Sequence, residues 1–188
     1  MNTPNYWYWN NYFNEKEIIE LNEIIKDCGE ELETKEQIAK NYYNSNLKIC
    51  KVKNIIHYKI KNKLKTLIDD VHIVNENNYG YNLFNIKDKQ YHNLNIYSSN
   101  VKGKYDWHTD KTKKILIDIK FTVLINLSMK NYEGGQFELF ENGPLEVKEL
   151  LIPGNVIMFK SYMNHRVLPV LKGERRTLAI FFKGPNFI

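Results

Sequence analysis

The chain has 188 residues and a mass of 22.4 kDa, which is the size of one compact domain with its own core. Its apolar content of 43% and aromatic content of 13% exclude a disordered chain, and no apolar run approaches the roughly 20 residues of a membrane-spanning helix. The net charge of +5 is only mildly basic, so nucleic-acid binding is not expected.

The first residues lack the charged and apolar regions of a signal peptide, which predicts a cytoplasmic location. Lys, Asn and Ile are abundant and have A/T-rich codons, which indicates a microbial or viral origin. The two cysteines, Cys28 and Cys50, are too few for a disulfide framework.

The first part of the chain is predicted to be mainly helical. Tyr6–Trp9 is strand-like, and Asn14 is a candidate N-cap for an amphipathic helix that ends near Gly29. The polar stretch 30–40 is interpreted as a loop or short helix, and apolar residues at helical spacing predict a second helix over 53–71. The basic runs 48–53 and 59–65 are interpreted as solvated faces.

From Tyr79 onwards the pattern alternates, which predicts extended structure and many short strands separated by turns. We predict a turn at 133–135 and strands at 91–97, 105–110, 117–128, 136–140, 145–151 and 155–159. Helices first and strands second predict an α+β, mainly β fold, a double-stranded β-helix (jelly roll) buttressed by N-terminal helices. We expect residues 1–88 to support a core over 89–184 in one compact domain.

The most informative motif consists of His108 and Asp110 together with His165, which lies far along the sequence. Because alternate residues of a strand share a face, His108 and Asp110 should point into one pocket. His165 follows the strand-like run 155–159 and could complete the set from a neighbouring strand. Two histidines and one carboxylate are the ligands of non-haem Fe(II) sites that leave positions open for O2 and a cosubstrate.

A basic residue lies ten positions after His165. Arg175 opens the strand-like run that continues to 182, and its guanidinium fork suits a carboxylate. Arg176 should point the opposite way, although the step at Gly173 could shift the register by one residue and exchange the two arginines.

Residues 91–183 resemble the Fe(II)/2-oxoglutarate-dependent dioxygenases, and among them the prolyl 4-hydroxylase-like group. The matching pieces, in order and spacing, are Tyr97, Tyr105-x-x-His108-x-Asp110, Tyr132-Glu133-Gly134-Gly135, Pro153-Gly154-Asn155, His165–Val170, Gly173 and Arg175.

The resemblance implies a role for each matching residue. It implies that His108, Asp110 and His165 bind Fe(II) and that Arg175 binds the far carboxylate of 2-oxoglutarate. Other residues fall at or beside the expected cosubstrate pocket, namely Tyr97, Tyr105, Thr122, Leu124, Asn126 and Thr177. Trp107 and Arg166 flank the ligands and are candidates for substrate contact, or else face the other way.

The reaction that the resemblance implies couples the decarboxylation of 2-oxoglutarate to succinate and CO2 with hydroxylation of a C–H bond. Its cofactors are Fe(II), 2-oxoglutarate and O2, with ascorbate as reductant, and its expected substrate is a prolyl residue in a peptide or protein. The loops 75–89 and 98–104 are candidates to cover that substrate, with Tyr79, Tyr81 and Phe84 as apolar contacts. His57, His72 and His92 are interpreted as structural or exposed.

Two alternatives remain open. The same chemistry on a free amino acid, a small metabolite or an alkylated nucleobase differs only in substrate, and the nucleobase version predicts a basic groove with aromatic residues beside the iron. A non-catalytic jelly-roll binding module would fail to bind iron or 2-oxoglutarate.

Overall fold

The structure is a computed structural model that describes residues 4–32, 47–110 and 117–186. Its two α-helices in these ranges are α1 (Glu15–Cys28) and α2 (His57–Asn78). The strands are β1 (Tyr6–Trp9), β2 (Gly29–Leu32), β3 (Lys48–Ile49), β4 (Lys51–Ile56), β5 (Tyr91–Ser98), β6 (Lys104–His108), β7 (Ile117–Asn126), β8 (Glu133–Gly134), β9 (Phe137–Phe140), β10 (Pro144–Glu146), β11 (Val156–Lys160), β12 (His165–Val167), β13 (Val170–Lys172) and β14 (Glu174–Pro185).

These strands form two facing sheets, which confirms the predicted jelly roll. The major sheet has seven strands in the order β1-β11-β7-β14-β5-β4-β2, and the minor sheet has five in the order β10-β9-β12-β6-β3. Strands β8 and β13 pair separately. Strands β1, β2 and β4, which precede residue 89, belong to the same sheet as the later strands.

The two faces of the major sheet have different partners. Alternate residues of its strands, such as Leu94 and Leu178, join the apolar residues of α1 and α2 in one buried cluster. Residues that point the other way, such as Tyr97 and Leu124, join Phe137 of the minor sheet in a second buried cluster. The helices therefore support one face, and the other face is free to enclose a site.

The start of α1 is capped as predicted. The Glu17 backbone N–H donates to Asn14 Oδ1 at 3.0 Å, and the Asn14 backbone N–H donates to Glu17 Oε2 at 2.9 Å. This reciprocal pair is a capping box, and the helix ends at Cys28, directly before Gly29.

The predicted start of the second helix was wrong. Residues Lys51–Ile56 form β4 and pair with β5, and α2 begins only at His57 and continues to Asn78. Pairing with a neighbouring strand overrides the helical spacing of these residues. The start of the polar stretch was also wrong, since Gly29–Leu32 is strand β2, while 33–40 lies outside the described residues.

Three shorter elements also differ from the prediction. The residues after α2 form no strand up to Tyr91, and Tyr79 and Tyr81 pack on Phe121 in the helix-side cluster. This places their rings away from the pocket side of the sheet. Residues Lys148–Leu151 form a 3-10 turn instead of a strand, and Glu133–Gly134 is a short strand instead of part of a turn.

The described helices include none that is long and apolar enough to cross a membrane. The cytoplasmic location stays a prediction.

Candidate active site

Two neighbouring strands of the minor sheet bring the candidate metal ligands together. His108 is the last residue of β6, His165 is the first of β12, and the two are paired across the antiparallel ladder. The predicted strand through Asp110 was too long, because β6 ends at His108. Asp110 is held just beyond it by its backbone N–H, which donates to the Ser161 carbonyl at 2.9 Å.

The three side chains present their ligand atoms to one point. His108 Nε2 lies 4.0 Å from Asp110 Oδ1, and His165 Nε2 lies 3.5 Å from Asp110 Oδ2. All three ligand atoms are within 4.8 Å of one another. Imidazole and carboxylate ligands bind a divalent ion at about 2.0–2.2 Å, so their mutual distances reach about 4.4 Å at most. The arrangement thus fits a single ion with little adjustment.

Both imidazoles are oriented by backbone carbonyl groups. His108 Nδ1 lies 2.7 Å from the Asp106 carbonyl oxygen, and His165 Nδ1 lies 2.9 Å from that of Met163. Because a carbonyl only accepts, the proton of each neutral ring is on Nδ1 and the Nε2 lone pair faces the metal position.

Further contacts fix the positions of the three candidate metal ligands. Thr122 Oγ1 donates to Asp110 Oδ2 at 2.7 Å, and the Tyr105 ring stacks on His108 with 3.4 Å between centroids. Burial lowers the pKa of His165, and the Asp110 charge opposes this only in part. A low pKa keeps His165 neutral, as a metal ligand must be.

Arg175 lies at the floor of the same pocket with most of its guanidinium unpaired. The residue is only 1% exposed, and Nη1 donates to Thr177 Oγ1 at 3.3 Å. Nε and Nη2 are buried and have no hydrogen-bond partner among the described residues. A buried cation in this state is costly unless an anion pairs with it. The donors therefore fit one carboxylate of a small dicarboxylic acid.

Backbone geometry makes room for that guanidinium. Gly135 has φ +66°, and a Cβ built on it would lie 3.0 Å from Arg175 Cδ. The next arginine points the other way, since Arg176 Nη1 donates to Asn22 Oδ1 of α1 at 2.8 Å. The structure thus turns Arg175, and not Arg176, into the pocket.

The cavity between these residues is small, about 100 Å³. Its lining includes the ligands, Arg175 and most of the predicted cosubstrate contacts, namely Tyr97, Tyr105, Thr122, Leu124 and Thr177. The predicted contact Asn126 is not part of the lining. Its buried amide donates to the Leu150 carbonyl at 2.8 Å and accepts from the Ser128 backbone N–H at 2.9 Å, so it fastens a loop instead.

Trp107 and Arg166 also lie away from the pocket. The Arg166 guanidinium lies 4.4 Å above the Trp107 ring, and Nε donates to Glu138 at 2.5 Å. Arg166 and Glu138 are paired next to His165 and Leu139 in the ladder, so they occupy the opposite face of the minor sheet. Their predicted contact with substrate is not supported by this position.

Sequence reasoning missed Lys48. The interpretation of 48–53 as a solvated face was wrong at this residue, because Lys48 is half-buried and lines the pocket. Its Nζ donates to Asn95 Oδ1 at 2.9 Å and lies 4.4 Å from the centroid of the Tyr105 ring. Only the pairing of β3 with β6 brings it there, and no local pattern indicates that pairing.

Comparison with known proteins finds a family model over the part of the chain that carries this site. Residues 92–183 match the sequence model of the 2OG-Fe(II) oxygenase superfamily. The match contains every candidate ligand and Arg175.

The individual proteins that resemble this chain match it at low sequence identity or over only part of its length. A PKHD-type hydroxylase of Synechococcus sp. (strain CC9605) is 32% identical over 90 residues, which are 46% of this chain and 40% of the relative's length. A Pseudomonas putida prolyl-4-hydroxylase has a TM-score of 0.67 at 14% identity, covering 95% of this chain and 91% of its own. A Trichoplax adhaerens prolyl hydroxylase, solved with a hypoxia inducible factor peptide fragment, has a TM-score of 0.69 at 17% identity, covering 95% and 83%. These structures share the fold of this chain.

Proposed function

We propose that this protein is a 2-oxoglutarate-dependent dioxygenase that hydroxylates a prolyl residue of a peptide or protein. The observation that carries the proposal is the pairing of a His-Asp-His set with a buried, unpaired Arg175 in one small pocket. A metal site alone would fit many functions. A metal site beside an anion-binding floor fits a metal that works with a carboxylate cosubstrate.

Each residue has a part in this chemistry. Fe(II) would be held by His108, Asp110 and His165. Together with 2-oxoglutarate and O2 it would supply the oxidation chemistry that amino-acid side chains cannot perform. Arg175 and Thr177 bind and orient the far carboxylate of 2-oxoglutarate. The Asp106 and Met163 carbonyls hold the two protons on Nδ1, away from the metal.

The prolyl substrate is the finer part of the proposal. It is supported by the fold shared with two prolyl hydroxylases, one of them solved with a peptide fragment.

The test is succinate formation from 2-oxoglutarate under air, with Fe(II) and ascorbate as the proposed reductant. We expect slow turnover by the wild type, stimulation by proline-containing peptides, no turnover by His108→Ala, and recovery of Arg175→Ala only at much higher 2-oxoglutarate. Absence of turnover together with absence of Fe(II) and 2-oxoglutarate binding would refute the proposal and leave a binding module.

A further inference from the structure

A larger groove is lined by strand residues that follow those of the metal pocket along the same face of the major sheet. On β5, Asn93 lines the pocket and Tyr91, two residues earlier, lines the groove. On β14, Phe181 lines the pocket and Lys183 lines the groove. Since alternate strand residues share a face, Tyr91 is the next side chain outwards from Asn93. The groove has a volume of about 950 Å³, against about 100 Å³ for the pocket.

The walls of this groove are basic and aromatic. Lys87 and Lys89 are exposed and form no salt bridge within the described ranges, and Lys183 is half-buried beside them. The lining contributed by the described residues contains no Asp or Glu. Phe84 and Tyr91 expose 42% and 50% of their surface.

The one carboxylate between the two exposed lysines is engaged elsewhere. Asp88 Oδ2 lies 3.0 Å from Lys61 Nζ on α2, so its charge is neutralised on the helix side. Lys87 and Lys89 are therefore left as the nearest charges of that loop to the groove. A positive surface of this kind attracts anionic partners.

The groove is already formed without a partner. The Phe84 backbone N–H donates to the Lys183 carbonyl at 2.7 Å, and Gln90 Nε2 donates to the Phe181 carbonyl at 3.0 Å. The Gln90 backbone N–H closes a turn on the Lys87 carbonyl at 2.8 Å. These bonds tie the loop to β14, so little ordering entropy remains to oppose binding.

We propose that this groove binds an acidic stretch of the polypeptide substrate, next to the residue that enters the metal pocket. The inference rests on the proposed function and adds the substrate class that the groove selects. Glu and Asp side chains pair with Lys87 and Lys89, while apolar parts of the same stretch pack on Phe84 and Tyr91. A peptide is favoured over nucleic acid because no arginine, the side chain best suited to phosphate, lines the groove in the described part of the chain.

The test measures binding by fluorescence anisotropy with Fe(II) and 2-oxoglutarate but without O2, so that no reaction begins. Three labelled probes are compared, a proline-centred peptide flanked by glutamates, the same peptide flanked by lysines, and an oligo-dT of the same length. We expect the acidic peptide to bind at least about tenfold more tightly than the basic one in 50 mM salt, and the preference to shrink in 500 mM salt as the charges are screened.

Matched double variants locate the site. Lys87→Ala/Lys89→Ala should weaken the acidic peptide about fivefold. Lys16→Ala/Lys26→Ala removes the same charge from exposed positions on α1 and should leave binding unchanged. Tyr91→Ala gives a second, uncharged variant, expected to weaken both peptides because it removes apolar contact.

Equal binding of the two peptides, or equal loss in both double variants, would overturn the inference. Tighter binding of oligo-dT that depends on Lys87 and Lys89 would overturn it in favour of a nucleic-acid substrate. Binding of 2-oxoglutarate alone is measured in the same samples. If it fails, the proposed function fails, whereas normal 2-oxoglutarate binding without peptide preference removes only the groove inference.

Discussion

Two pairs of histidines show how differently the two sides of this molecule use the same side chain. His57 and His92 lie where α2 meets β5, with 3.0 Å between His57 Nδ1 and His92 Nε2, and both are buried. His108 and His165 lie in the pocket, where each Nδ1 faces a backbone carbonyl.

The difference is in what the ring nitrogens bind. In the helix-side pair, one ring donates to the other, and the lone pair of the accepting nitrogen is used up. In the pocket pair, the carbonyls take the protons and leave two lone pairs directed at one point. Burial is common to all but His108, so burial alone does not identify the metal ligands, whereas the partner of the second nitrogen does.

The largest effect is expected when one histidine of the pocket pair is removed. His108→Ala should lower Fe(II) affinity by more than about 100-fold, because even loss of a group that only orients a ligand costs 10–100-fold. Anaerobic Fe(II) titration measures this. His92→Leu is the matched control and should bind Fe(II) as the wild type does, and a loss of Fe(II) binding in that control would contradict the comparison.

The next effect concerns the charge that the pocket buries. Arg175→Met should weaken 2-oxoglutarate binding about 100-fold, roughly 3 kcal/mol, because a buried ion pair is lost. The thermal midpoint of the metal-free protein should stay the same or rise, because an unpaired buried charge is removed. Calorimetric titration and thermal melting check both parts.

Arg176→Met is the control for that change. Arg176 binds Asn22 of α1, so its loss should lower stability and leave 2-oxoglutarate affinity within about twofold. The reverse result would show that Arg176 is the anchor.

A smaller effect appears on the helix side as the pH falls. Burial, with the charges of His57 and Lys183, lowers the pKa of His92 to about 3, against about 6.5 in the unfolded chain. Between these values the unfolded chain binds more protons, so stability is lost as the pH falls. The loss attributable to this group should be about 2 kcal/mol between pH 6.5 and 5.

Urea unfolding at several pH values measures that slope. His92→Leu should flatten it, while His72→Leu, which alters a ring beside Phe182, should leave it unchanged. An unchanged slope in His92→Leu would mean that the helix-side pair does not set the acid sensitivity.

The smallest effect belongs to the helix layer alone. Asn14→Ala removes the cap of α1 and should cost about 1 kcal/mol of stability, with no change in Fe(II) or 2-oxoglutarate affinity. Asn77→Ala, at an exposed position in α2, is the control and should cost nothing measurable. A change in ligand affinity in Asn14→Ala would show that the two sides are coupled.

The features of the fold and the site that the sequence predicted well depend on short-range geometry. The alternation of strand side chains was enough to turn Arg175, and not Arg176, towards the pocket, and spacing was enough to find the Asn14 cap. The order of the motifs along the chain was enough to indicate the resemblance that the superfamily model also finds over residues 92–183, and the two sheets confirm the jelly roll.

The features that the sequence predicted poorly depend on contacts between segments that are far apart along the chain. Residues 53–56 have helical spacing, but pairing with β5 makes them a strand. Lys48 enters the pocket only through the β3–β6 pairing, and Asn126 faces a loop whose position no local pattern indicates. In each case the competing partner is tens of residues away or has no motif of its own.

The position of β14 has a consequence for how the protein folds. This strand is the last of the described strands along the chain, yet it lies between β7 and β5 in the middle of the major sheet. Until it inserts, β1, β11 and β7 cannot join β5, β4 and β2, and such long-range pairing is slow to form. Arg175 and Thr177 arrive with it. The anion-binding floor is therefore completed only when the two halves of the major sheet are joined, and cosubstrate binding reports that this sheet is whole.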